Sequence, residues 1–401
     1  MSSDLPYLHH CAPPETDSLV ARASELFPLI RGNAARTEAA RRVADENIDA
    51  LSRAGLLRVS TPRRYGGFES NLRTTLAVSG EVARACGSTG WVTALTNMCA
   101  WVVGLYPQRV QDEVFGADPD ARVCAVVAPR ATTRKVDGGY VVSGRWPWAS
   151  ACLHAQWAAL GFPVVDDTGK VVDQGFGLIP MSDLTIDDTW YSVGMRGTGS
   201  NTLVGHEVFV PAHRVMSLTG AIEGRYPTEH KHEALYRAGF MPVLVIILVG
   251  PPLGLARGAL ECFGEQVPGR GIIYTSYERQ IDAPVTHEQI AEAAMLIDSA
   301  HLHEFRAADD IDRLAAAGEY PDLAARSRIR MDCSRAVHYA REAVNLLVSA
   351  SGGSAFGEHN PLQRIWRDIN TSSLHGILTH RTNLEMYGRI LLGLPQNSPL
   401  I

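Results

Sequence analysis

Hydrophobic texture changes twice along this chain, and that double change limits its folds more than any other feature. From residue 16 to about 118 the pattern is helical, with Ala, Leu, Arg and Glu dominating Leu19 to Ile30 and Ala34 to Ala54, and Gly55 supplying a C-terminal cap. A further helix is expected over Leu72 to Ala85. Ser88 or Thr89 then caps one that carries Trp91 and Trp101 toward Phe115. After Asp118-Pro119, short runs rich in Val and aromatics alternate with turn residues: Val123 to Ala128, Tyr140 to Trp146, Trp157 to Val165, Phe176 to Pro180 and Thr202 to Val210. Asp137-Gly138-Gly139 between two of them signals a hairpin. Five such segments without intervening helices predict an antiparallel sheet or small barrel, not a doubly wound nucleotide fold.

Helical spacing returns near Gly239, at Ile290, Ala294 and Ile297 and again at Val337, Ala340, Val344 and Leu347, until Gly352-Gly353 stops that helix. An α+β chain in three parts is therefore expected: an α-helical domain over 1–118, an antiparallel β-barrel or sandwich over 119–216, and a helical bundle over 217–401. Residues 217–238 are irregular and too long for an ordinary connection, which suggests a lid or binding loop.

Composition removes several classes of function. A net charge of −6 over 401 residues, 20% of them charged, supplies no field for nucleic acid or anionic membrane. The longest apolar run, Phe240 to Val249, is about half the ~20 residues of a bilayer span and is cut off by Pro251 and Pro252, so it is expected in a core. Pro13, Pro14 and acidic residues stand where a secretory signal needs a basic end and an apolar stretch, so a cytoplasmic protein is expected. Seven cysteines, Cys11 among them, contain no C-x-x-C pair, against a disulfide framework or zinc knuckle. H-E-x-x-H, G-x-S-x-G and P-loop motifs are missing, and Gly197-Thr198-Gly199 reads best as a tight turn. His230 and His232, like His301 and His303, sit two apart, which on a helix points them different ways. They read as core or surface histidines, with no metal expected.

Chemistry concentrates in Ser143 to Ser150. An extended chain there puts Trp146, Trp148 and Ser150 on one face. Two indoles and a hydroxyl suit a planar, mostly apolar ring with one edge to hydrogen-bond, such as an isoalloxazine; a sheet face packed on a helical domain explains them equally well.

Four further stretches extend the pattern: CGSTGWV at Cys86 to Val92, GRWPWASACLHAQW at Gly144 to Trp157, WYSVGMRGTGSNTLV at Trp190 to Val204 with VFVP at Val208 to Pro211, and PLQRIWRD at Pro361 to Asp368. In this order they resemble the acyl-CoA dehydrogenase fold, and within it the two-component, reduced-flavin-dependent monooxygenases that hydroxylate phenols, steroid catabolites and aromatic polyketides. The resemblance implies a helical domain, a β domain and a C-terminal four-helix bundle in a homotetramer. It implies FMN or FAD delivered reduced by a separate NAD(P)H:flavin reductase, and O2 reacting to a C4a-hydroperoxyflavin. Ser150 is implied at flavin N5, with Trp146 and Trp148 flanking the ring and Arg196 and Thr198 in a cofactor-side turn. His375 is implied beside the isoalloxazine as a donor to the peroxide oxygens, and Arg270 or Arg279, across a subunit boundary, at the flavin phosphate.

Trp91 is implied near the substrate. Where the phenol hydroxylases carry a histidine and a serine that handle the phenol oxygen, this chain has Cys99 and Ala125. A thiol with a pKa near ~8.5 is a poor base at neutrality and alanine cannot hydrogen-bond, which points from a monocyclic phenol to a bulky aromatic or polyketide-type substrate. Two alternatives remain. An acyl-CoA dehydrogenase needs a glutamate base, for which Glu385 is the nearest candidate, and a non-catalytic flavin-fold partner protein needs none.

Overall fold

The computed structural model describes residues 14–401, so Cys11 and Pro13 lie outside the described residues. The first domain holds α1 (Pro14–Glu25), α2 (Phe27–Ala40), α3 (Asp45–Arg53), α4 (Leu72–Ala85), α5 (Gly87–Gly104) and α6 (Gln108–Phe115). The helix expected over Leu19 to Ile30 is two, because Pro28 opens α2 and cannot extend the ladder of α1. The stretch read as one helix from Ala34 to Ala54 is also broken, at Arg41, whose φ of 52° ends α2. Gly55 follows α3 with a φ of +77°, the cap conformation expected of it. Asn71 caps α4 by accepting from Thr74 N–H. The helix carrying Trp91 and Trp101 stops short of Phe115, since Pro107 starts a new one.

The middle domain has eight strands: β1 (Val123–Val126), β2 (Ala131–Val136), β3 (Gly139–Ala149), β4 (Trp157–Val165), β5 (Val171–Pro180), β6 (Thr185–Asp187), β7 (Asn201–Pro211) and β8 (Val215–Ser217). They form two sheets, β1-β4-β5-β8 and β2-β3-β7-β6. The expectation of an all-antiparallel domain is corrected by β1, which runs parallel to β4. The β2–β3 hairpin in the opposite sheet separates these two strands and lets the chain return in the same direction. Asp137-Gly138 is the hairpin's two-residue loop, with Val136 opposite Gly139. Between the sheets lie Val142, Trp146, Leu160, Phe162, Leu203 and Val210.

Beyond α7 (Leu218–Ile222) and α8 (Phe240–Ile246), the bundle consists of α9 (Gly250–Gln266), α10 (Pro284–Ala317), α11 (Leu323–Ser351) and the pair α12 (Pro361–Ser372) and α13 (His380–Leu391). Buried Ala300, Ala307, Ala308, Ala336, Ala340 and Ala343 let the long helices α10 and α11 approach closely. Phe240–Gly269 is long and apolar enough to cross a membrane by composition, and its most apolar part is buried inside the protein, with α9 packed against α4. A Cβ on Gly254 would lie 2.0 Å from the Gly80 carbonyl, so these two helices touch backbone to backbone.

Residues 217–238 are not the free lid their sequence suggests. Ser217 caps α7, Thr228 N–H bonds the Leu105 carbonyl, and the buried Tyr236 hydroxyl donates to the Ser60 carbonyl. Trp101 Nε1 donates to the Leu235 carbonyl. These bonds hold the segment to the first domain along its length.

Candidate functional site at the three-domain junction

Strand β3 does not put Trp146, Trp148 and Ser150 on one face. Its register against β7 shifts between Trp146 and Ala149, and Trp148 adopts a φ of 64°, so an extra residue breaks the alternation. Trp146 turns inward, is fully buried between the sheets and donates its indole N–H to the Gly161 carbonyl at 2.7 Å. Its expected place beside a flavin is therefore corrected: it is a core residue of the β domain. Trp148 turns outward and is 69% exposed.

Ser150, just past the bulge, meets the first domain and the turn that precedes β7. Its Oγ accepts from the indole N–H of Trp91 on α5 at 3.3 Å and lies 2.7 Å from Ser200 Oγ. Ser200 Oγ is in turn 2.6 Å from Thr198 Oγ1, which donates to the Met195 carbonyl at 2.8 Å. The turn carrying these hydroxyls starts from a left-handed Met195 and ends at Gly199 with a φ of +56°. Added Cβ atoms on Gly197 and Gly199 would lie 2.3 Å from Thr37 Cγ2 and 2.6 Å from Leu153 Cδ1, so only glycine permits this docking.

Residues of α12 fix the turn from the other side. Asp368, buried, accepts from Met195 N–H, and desolvation pushes its carboxyl up to about 6. Arg367 bonds the Val193 carbonyl and Glu38 of α2. Arg196 points away from Ser150, donating to the Glu38 and Ser192 carbonyls, so its side chain serves the docking of the turn rather than the cofactor side expected for it.

After α12 the chain makes a tight turn in which His375 N–H bonds the Ser372 carbonyl and the His375 carbonyl receives Leu378 N–H. The imidazole lies 6.1 Å from the Trp91 ring, centroid to centroid. It is exposed at the surface of the turn, and the protein packed around its ring lowers its pKa by desolvation. Nδ1 accepts from Ile377 N–H at 3.4 Å, which leaves Nε2 of the neutral ring to carry the proton as a donor.

Cys99 is buried in the apolar cluster between α5 and β1, and Ala125 packs on the same cluster. Burial pushes the Cys99 thiol up, so it offers no base. Arg270 bonds Gln280 Oε1, the Ser351 carbonyl and Ser354, while exposed Arg279 pairs with Asp282. Neither contacts the junction within this chain. A cavity of about 30 Å³ between α2, α4, α9 and α12 has room for water but not for a ring, and its lining includes none of Trp91, Ser150 and His375. Glu385 is exposed and accepts from Asn397.

The histidine pairs resolve differently. His301 bonds Glu304 at 2.9 Å in the core and His303 bonds Asp332 at 2.8 Å. His230, His232 and Glu233 cluster in a turn rather than a helix, but both Glu233 oxygens are taken by Arg64, at 2.6 and 2.7 Å. Ser200 and Asp368 were inside the quoted motifs without a role. Alternate hydroxyls at 198 and 200 and a carboxylate in a buried stripe were the signals available.

The junction unites a helical domain, a β domain and a bundle around one hydroxyl, and the chain bears the marks of the acyl-CoA dehydrogenase class: the family model described as acyl-CoA dehydrogenase, N-terminal domain, matches residues 25–115, and that described as acyl-CoA dehydrogenase, C-terminal domain, matches 246–380. It is 36% identical, over 95% of this chain and all of the relative, to the flavin-dependent monooxygenase oxygenase subunit HsaA of Rhodococcus jostii. It is 33% identical to the FADH2-dependent resorcinol hydroxylase oxygenase component of a Rhizobium species, over 94% of each chain. The structure of XiaF from a Streptomyces species, in complex with FADH2 and glycerol, superposes with a TM-score of 0.90 at 34% identity, over 96% of this chain and 97% of that one. The chain belongs to the oxygenase components of the two-component flavin-dependent monooxygenases.

Proposed function

We propose that this protein takes reduced FMN or FAD from a separate reductase and uses O2 to hydroxylate a bulky aromatic or polyketide-type substrate. The observation that carries this reading is the junction itself: an uncharged hydroxyl cluster at Ser150, bonded by Trp91 with a neutral histidine ring beside that indole, and, among the described residues, no carboxylate hydrogen-bonded to any of the three. FADH2 in the Streptomyces relative supports the cofactor. Bound reduced flavin supplies the electrons and the oxygen-activating ring.

The chain's own residues supply position and dryness. Ser150 Oγ would hold the N5 edge of a bound flavin, and the donor on His375 Nε2 would be available to the oxygen. The exposed indole of Trp148 would cover the outer side of the ring, and Arg270 or Arg279, across a subunit boundary, would hold the phosphate. Cys99 and Ala125 leave an apolar wall on the substrate side, with no group to ionise a phenol. Exposed Phe356, Leu374, Leu391 and Leu392 on the C-terminal segments suit the homotetramer, which light scattering would register as four chains.

Anaerobic titration with reduced FMN and FADH2, then mixing with oxygen and candidate aromatics, tests the proposal. Hydroxylated product is expected, with Ser150→Ala releasing at least tenfold more hydrogen peroxide per product. Failure to bind reduced flavin would sink the proposal and favour a non-catalytic partner. Reduction of bound flavin by acyl-CoAs would favour a dehydrogenase, a reading that exposed Glu385 does not support.

A further inference from the structure

The hydroxyl cluster has a direction, and the direction follows from counting protons. Thr198 Oγ1 lies 2.8 Å from the Met195 carbonyl oxygen, which has no proton to give; two bare acceptors at that distance would repel, so Thr198 donates. A hydroxyl has one proton. The 2.6 Å contact between Thr198 and Ser200 must therefore run from Ser200 to Thr198, and the 2.7 Å contact between Ser200 and Ser150 from Ser150 to Ser200. Trp91 Nε1–H, which can only donate, fills one lone pair of Ser150 Oγ from the other side. Thr198 and Ser200 are 2% and 4% exposed, so water does not exchange into the chain and reverse it. Ser150 is left with one open lone pair and no open proton.

We propose that Thr198 and Ser200 are positioning residues that fix Ser150 as an acceptor, so that the site selects flavin whose N5 bears a hydrogen. This inference rests on the reading that N5 lies at Ser150. Reduced flavin carries N5–H and satisfies that lone pair, whereas oxidised flavin presents a bare N5 lone pair to another acceptor and is disfavoured. The relay thus sets which redox state the oxygenase keeps and which it releases to the reductase.

The test is binding, not turnover. Dissociation constants of reduced and oxidised FMN are measured anaerobically on the full chain for the parent, Thr198→Val, Thr198→Ser, Ser200→Ala and Ser150→Ala, with thermal melting to confirm folding. In Thr198→Val and Ser200→Ala the Ser150 proton is freed to turn to the ring. Oxidised FMN should then bind more tightly, and the ratio of oxidised to reduced dissociation constants should fall about tenfold, the value of one hydrogen bond. Thr198→Ser keeps the hydroxyl and should keep the parent ratio. Ser150→Ala should lower the ratio by weakening reduced FMN alone. A ratio within twofold of the parent in both Thr198→Val and Ser200→Ala, while Ser150→Ala weakens reduced FMN, overturns the relay and leaves the N5 reading standing. Unchanged affinities in Ser150→Ala overturn both.

Discussion

Two polar clusters flank the first helical domain, and they differ in what remains after their internal bonds are counted. Around Glu233 the bonding closes on itself. Arg64 takes both carboxylate oxygens, His230 meets Gln108, and Gln108 N–H is taken by Glu229. The hydroxyls from Ser150 to Thr198 are uncharged, yet one lone pair of Ser150 and the donor of His375 are left over. The residue types at 230–233 advertise chemistry more loudly than three hydroxyls do. Residual bonding capacity, rather than the presence of histidine or carboxylate, distinguishes a ligand site from a fastening.

The contrast can be broken from either side. Removing the charge partner in Glu233→Ala leaves the Arg64 guanidinium with Gln111 alone, and a loss of about 1–2 kcal/mol is expected in denaturant unfolding, with reduced-flavin affinity within twofold of the parent. A change in flavin affinity there would erase the distinction.

Asp368→Asn sharpens the other side. The folded Asp368 carboxyl titrates near 6, above its unfolded value near ~4, so the stability it contributes is full below about pH 4 and is lost as pH rises through 6. Asparagine can still accept from Met195 N–H and has no charge to desolvate. The melting temperature of the variant relative to the parent should therefore climb between pH 4 and 7, reaching on the order of 1–2 kcal/mol in stability. A flat difference would mean that the carboxyl is paired better than its surroundings indicate. Ser200→Ala, which removes the donor to Thr198 and the acceptor of the Ser150 proton, should cost about 1 kcal/mol in the same assay. His232→Ala, exposed and outside the Arg64 contact, should change stability by less than about 0.5 kcal/mol and leave flavin binding alone.

Much of the fold was legible because local rules decided it. The bounds of α4 follow from its apolar spacing and its Asn71 cap, and the β2–β3 turn from Asp137-Gly138. Strand β2 itself, Ala-Thr-Thr-Arg-Lys-Val, escaped notice because it is largely exposed and owes its extension to pairing with β3. The site was half legible. Motifs located Trp91, Ser150, Thr198 and His375, which the structure brings to one junction, but alternation put Trp146 there too. A positive φ at a tryptophan is a tertiary outcome that no period-two pattern carries. The roles of Ser200 and Asp368 depend on which domains face the 195–200 turn, a fact about docking and not about sequence spacing.

That turn has a consequence for how the molecule assembles. Its residues belong to the β domain, but its anchors are Thr37 on α2, Ser88 on α5 and Asp368 on α12, each more than a hundred residues away along the chain. Contacts of such long sequence separation close only after the loops between them have lost their freedom. The geometry of the junction is accordingly expected late in folding: a chain with intact helices and sheets but undocked domains has every residue of the site and not their arrangement. Recovery of flavin affinity during refolding should lag behind recovery of helical circular dichroism, and the length of that lag times the final docking of three domains.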